Sequence, residues 1–253
     1  MTKLELRGLS AELMLQTATN LRDRSVDISR RIHDSRRRFK EIRALLRLFR
    51  DQLGENFQRE NHFYRDVGRA IAAYREADTA AVAVKRIEGL PDKHLTRLQQ
   101  LVRKEQRSAY QNREEAEAIL ENVAALIGDA VQRLPTARRS TERGLKRTIR
   151  TGKRAMREAY DSMNAIAFHE WRKRVKDHLF QLQFLSITKG QKRLLAASQI
   201  LGEHHDLEVI RDIVTSAETV FSQEEAAEID AILVARQSRL AKKVKSIGEK
   251  IYG

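Results

Sequence analysis

The stretch Arg30-Arg31-Ile32-His33-Asp34-Ser35-Arg36-Arg37-Arg38-Phe39-Lys40 and its echo Phe168-His169-Glu170-Trp171-Arg172-Lys173-Arg174-Val175-Lys176 decide how this chain is read. Superposing His33 on His169, 136 positions later, pairs Asp34 with Glu170, three basic residues with three, Phe39 with Val175 and Lys40 with Lys176. A repeat of that period divides the chain into an N-terminal helical half, 1–135, and a C-terminal half, 136–253, with Pro135 at the boundary.

Each residue of a helix advances by about 100°. With His33 at zero, Arg36, Arg37, Lys40, Ala44 and Arg47 fall within about 60° on either side and form a basic stripe. Ile28, Phe39, Ile42, Leu45, Leu46 and Phe49 lie opposite, as a face able to dock on a core. The second copy sets His169, Arg172, Lys173 and Lys176 against Trp171, Val175, Leu182 and Leu185.

The chain has 253 residues, 41% of them hydrophobic, enough for a sizeable core. Without cysteine it has neither disulfides nor thiolate metal sites, which points to a reducing compartment. No basic leader precedes an apolar run, and no stretch approaches the roughly 18 apolar residues of a membrane span. A soluble cytoplasmic protein is expected, with no membrane contact. The net charge of +14 is localised: residues 22–50 carry eleven Lys/Arg against four Asp/Glu, and residues 138–176 thirteen against four. The remainder is slightly acidic, so the excess cations sit in two matching segments and call for a polyanionic partner.

Two prolines and few glycines interrupt helical periodicity, and no window alternates as a strand does. The expected fold is all-α. After a lead-in over residues 1–8, helices are expected over 10–21, 25–53 (stopped by Gly54), 57–74, and from an N-cap at Asp78 to residue 87. Gly89-Leu90-Pro91 breaks the chain before a long helix, 92–133, interrupted near Arg107. The second half follows with helices over 140–160, 165–187, 189–201, 207–220 and 223–251. Gly202-Glu203-His204-His205-Asp206 is expected as a joint, with Asp206 capping the helix at Leu207.

Guanidinium and ammonium groups about 5–6 Å apart along a helix suit a chain of phosphates. The helix over 140–160 adds Lys146, Arg150 and Lys153, with Arg143 and Arg157 on the same face. His33 and His169 join the stripes as donors or, protonated, as cations, so binding is expected to tighten as pH falls. His178 lies on the apolar side and reads as structural. No aromatic residue interleaves with the first stripe, which disfavours base stacking and hence single-stranded nucleic acid. His204, His205 and Asp206 lack metal-ligand spacing, so no metal is expected. No nucleophilic triad, phosphate-cradling glycine loop or dinucleotide fingerprint is present; no enzyme activity and no cofactor are expected.

The duplicated His-x-x-Arg-x-x-x-Lys (His33/Arg36/Lys40 and His169/Arg172/Lys176) and the string Leu201-Gly202-Glu203-His204-His205-Asp206-Leu207 resemble the CHAD family, the conserved histidine α-helical domain. The resemblance implies two antiparallel helical bundles related by a pseudo-twofold around a central basic cavity that binds inorganic polyphosphate. Carried over by motif position, it assigns His33, Arg36, Lys40, Arg43, His169, Arg172, Lys173, Lys176, His205 and Asp206 to that cavity. Leu179 and Gln183 stand where the first copy has Arg43 and Arg47, so the second wall is expected to be less cationic at its far end. The expected function is non-enzymatic polyphosphate binding in a groove between the repeated helices. Polyphosphate granules or polyphosphate-metabolising enzymes are the expected company. The alternatives are a nucleic-acid-associated protein and a helical scaffold for an acidic partner.

Overall fold

The computed structural model describes residues 4–134, 138–139 and 141–253. The expected boundary at Pro135, the helix start at 140 and the first three residues of the lead-in lie outside the described residues. Within them the protein is all-α apart from a two-residue antiparallel bridge between β1 (Leu4–Glu5) and β2 (Arg138–Arg139).

The compact units are not the contiguous halves 1–135 and 136–253. Unit 1 takes Met1–Arg75, Tyr110–Thr151 and Asp177–Gln191; unit 2 takes Glu76–Ala109, Gly152–Lys176 and Lys192–Gly253. Helices α8 (Glu142–Ser162) and α9 (Ala165–Phe184) each supply both units, which a reading by sequence period alone does not anticipate.

In unit 1, α1 (Leu6–Arg22) packs on α2 (Ile28–Leu48) and on α7 (Arg113–Ala130), and α4 (Asn56–Ala70) packs on α2. All six apolar residues expected opposite the stripe of α2 are buried. The helix ends at Phe49, and a single turn, α3 (Arg50–Leu53), carries the chain to Gly54, whose φ of 52° closes that turn. Arg31, from the quoted basic run, is not on the surface. It is fully buried, paired with Glu117 of α7 and donating to the Leu21 carbonyl at 2.9 Å.

The face by which α8 packs is made of small residues: Thr141, Gly144, Thr148, Gly152 and Ala159 are buried, while the larger Leu145, Ile149 and Met156 are only partly so. A Cβ on Gly144 would overlap the Leu48 carbonyl and come within 2.7 Å of Leu48 Cα. Backbone cannot yield as a side chain does, so Gly144→Ala is expected to destabilise the protein by at least about 3 kcal/mol, read by chemical denaturation.

In unit 2, α5 (Ala72–Arg86), α6 (Asp92–Ala109), α10 (Gln191–Ser216) and α11 (Gln223–Tyr252) share a core that includes Val84, Leu98, Ile210 and Leu233. The break near Arg107 falls at 110–112, where Asn112 caps α7 by accepting from the Glu115 N–H. Asp78 does not cap α5; it is buried within it and accepts from Gln106 Nε2 at 2.7 Å. The joint at Gly202–Asp206 is likewise absent, since α10 runs through it and Asp206 is mid-helix. Glycine inside a helix costs roughly 1 kcal/mol, and a packing contact described below explains its use. Ser222 and Glu225 form a capping box that starts α11 where the sequence places it. Among the described residues, no helix is long and apolar enough to cross a membrane.

Candidate functional site

In unit 1 the candidate residues ride on α2. Asp27 caps this helix, accepting from the Ser29 N–H, and the buried row Ile28, Ile32, Phe39 and Ile42 fixes which face turns outward. His33, Arg37 and Lys40 are exposed. The flanks of the stripe are tied inward: Arg36 donates to the Gly68 carbonyl at 2.5 Å, Arg43 to Asn61 Oδ1 at 3.1 Å and Arg47 to the Asp177 carboxylate at 3.2 Å. Ala44 is fully buried and its carbonyl accepts from Gln181 at 3.0 Å. The outward cationic run therefore spans two turns, His33 to Lys40. Arg37 meets Glu41 at 2.9 Å, a surface pair of the kind that contributes under about 1 kcal/mol and yields readily to a stronger anion.

In unit 2, α9 starts at Asn164, whose side chain accepts from the Ala167 N–H at 2.8 Å. Phe168, Trp171 and Val175 are buried, and Tyr160 meets Phe168 and Trp171 edge-on. This packing turns His169, Arg172, Lys173 and Lys176 away from the core. Lys173 is exposed and reaches Glu170 at 2.5 Å, and Arg174 lies 3.4 Å from the same carboxylate. Burial works against ionisation of Glu170, yet the two cations hold its pKa below the usual carboxylate range.

Neighbouring histidines of α10 diverge as helix geometry requires. His204 is buried and stacks on Phe168 with ring centroids 4.6 Å apart. His205 turns instead to His169, ring centroids 4.2 Å apart. Among the described residues no group of three or more His, Asp or Glu side chains gathers as a metal site. Gly202 faces Arg172: a Cβ there would stand 3.4 Å from Nη2 and 3.6 Å from Nε, so the bare helix surface seats the guanidinium. That contact, rather than a chain break, is the use of this glycine.

Burial, the facing His205 and the cations Lys173 and Arg172 push the His169 pKa down to about 3. Burial and Arg172 push His205 down to about 4. The ligand-free pair thus stays neutral at physiological pH, and a binding response centred on the ordinary imidazole value is not expected from His169. His178 is buried and its pKa falls to about 4 by burial, in keeping with a structural role.

Because these folded-state values lie below that of an unfolded histidine, about 6.5, the unfolded chain takes up protons first. The stability these residues contribute is complete above that value and is lost as pH falls towards 4 and 3. After a discount for solvent screening, the loss by pH 5 is on the order of 1 kcal/mol for each of His169 and His205. The double variant H169Q/H205Q is expected to show a flatter melting temperature between pH 7 and pH 5 than the parent. An unchanged slope would remove the pair from the acid response.

Of the α8 candidates, Lys146 pairs with Glu142 at 2.6 Å, while Arg150 and Lys153 are exposed. Lys146 and Arg150 belong to unit 1 and Lys153 to unit 2. Of the two positions expected to weaken the second wall, Leu179 is buried and Gln183 is exposed, and both belong to unit 1, whereas His169, Arg172 and Lys176 belong to unit 2. The structure adds two cations that the sequence reading missed. Arg86 of α5 and Arg236 of α11 line a cavity of about 440 Å³ together with Arg172, Lys176, Glu203 and Asp206. Neither belongs to the repeat or to a basic run, so only the packing of α5 and α11 in unit 2 reveals them.

The comparisons agree with this architecture. A solved CHAD domain from the plant Ricinus communis matches with a TM-score of 0.59 at 16% identity, covering 96% of this chain and 89% of that one. At that identity the likeness speaks for the fold alone. No curated protein matches the chain. The model of the CHAD domain family matches residues 12–215, which takes in both basic helices and the His204-His205 motif. The chain therefore belongs to the CHAD domain family.

Proposed function

We propose that this protein binds inorganic polyphosphate, without chemistry, on the cationic faces of α2 and α9. The observation that carries the reading is the outward grouping of His169, Arg172, Lys173 and Lys176 on one face of α9, with His205 of α10 against it. Arg172 offers a planar fork for two phosphate oxygens and the lysines add point charges. On α2, His33, Arg37 and Lys40 supply the matching set in the other unit. Resemblance to the family points to the same ligand. Granules or polyphosphate-handling enzymes are the company this role implies, and a reducing cytoplasm its setting.

Binding of this kind rests on charge-assisted hydrogen bonds and release of counterions, so affinity falls steeply with salt. Competition distinguishes the ligand from nucleic acid. Long-chain polyphosphate is expected to displace bound duplex DNA at far lower phosphate concentration than DNA displaces polyphosphate. Equal or reversed displacement would assign these faces to nucleic acid.

A further inference from the structure

We propose that the 440 Å³ cavity of unit 2 is a subsite for the terminal phosphate of the chain, with Arg86 and Arg236 as additional binding residues and Glu203 as an internal competitor for Arg236. This rests on the polyphosphate reading and adds a preference for chain ends. A cavity of that volume lies in the range of small-molecule sites, so it takes a few phosphate groups rather than a length of polymer. Its cations come from three helices: Arg86 from α5, Arg172 and Lys176 from α9, and Arg236 from α11. Beneath them lie the buried Ala83, Leu207 and Ile210, which give the cavity a floor.

Two carboxylates stand among these cations, and they select what enters. An interior unit of a phosphate chain has no proton to offer, so a carboxylate only repels it. An end unit differs twice. Its second ionisation, near pH 6 as in phosphomonoesters, brings its charge towards −2, and while that proton remains it is a P–OH donor. Ionised Asp and Glu accept and never donate, so Asp206 suits the P–OH hydrogen that only the end units of an inorganic phosphate chain carry. Glu203 has a second part. One oxygen of its carboxylate, Oε1, accepts from both Arg236 Nη2 at 2.5 Å and Arg236 Nε at 2.9 Å, occupying the guanidinium edge that a phosphate would take. Arg236 also donates to the Glu88 carbonyl at 3.1 Å, which holds the guanidinium at the cavity when a phosphate displaces Glu203. Arg86 is exposed at the end of α5 and has no ion-pair partner among the described residues, so it is available to the ligand.

The test is calorimetric titration with tripolyphosphate, in which ends are abundant, and with long chains whose ends are capped as alkyl phosphoramidates. R86Q is expected to weaken tripolyphosphate about tenfold and leave capped long chains unchanged, as loss of one charge-assisted contact does. R103Q, the same charge change on the exposed face of α6, is expected to do neither. E203Q is expected to tighten tripolyphosphate severalfold, and R236Q in the E203Q background to remove that gain. Melting temperatures of all variants check folding. If tripolyphosphate affinity ignores R86Q and E203Q while long chains still bind, the end subsite is wrong and the polyphosphate reading stands. If the parent protein binds neither ligand, the polyphosphate reading itself fails.

Discussion

Replacing Lys40, Lys173 and Lys176 together by glutamate is expected to lower affinity for long-chain polyphosphate at least about a hundredfold at moderate salt and to flatten its salt dependence, because three cations of the proposed binding faces become anions. Lysines are chosen for a structural reason. Arg36 holds the Gly68 carbonyl and Arg172 lies against Gly202, so reversing either confuses loss of ligand with loss of packing. Lys40 and Lys173 are exposed and Lys176 half-buried, and none lies in the buried core. Helix content by circular dichroism is expected to be unchanged. Undiminished retention on immobilised polyphosphate would reject α2 and α9 as the binding faces.

Arg31→Ala is expected to cost about 3 kcal/mol of stability, the lower end for breaking a buried ion pair, since Glu117 keeps 15% of its side chain in solvent. Loss of the guanidinium leaves the Leu21 carbonyl and the Glu117 carboxylate without their donor. The Arg31 hydrogen bond is the strongest influence keeping the Glu117 pKa low, so the variant is also expected to raise it. Replacing the pair together, Arg31→Met with Glu117→Leu, is expected to restore much of the loss, because apolar side chains of similar volume do not need the pairing. Denaturant midpoints of the two variants decide this. A single variant as stable as the parent would mean that water replaces the arginine without cost.

Arg31 also shows where sequence reading stops. Helix phase puts it about 160° from His33, among the apolar residues, so its inward direction was legible. Its partner was not, since Glu117 lies 86 positions away on a helix whose packing no local pattern records. The all-α fold, the helix faces and the break near 110 follow from periodicity and capping, which are local. Gly202 misled because a glycine that ends a helix and one that seats a guanidinium look alike in one dimension. His204 and His205 were separable by their 100° divergence, but only coordinates show that one meets Phe168 and the other His169. Arg86 and Arg236 carried no local signal, because each is one of several cations on its helix and no repeat or motif sets it apart.

Trp171 is the sole tryptophan of the chain, fully buried in unit 2 beside Phe168 and Tyr160. Its fluorescence is therefore an optical probe native to one unit only. Emission followed during denaturation of the Arg31→Ala protein, whose lesion is in unit 1, reveals whether melting there is transmitted along the shared helices or stays local.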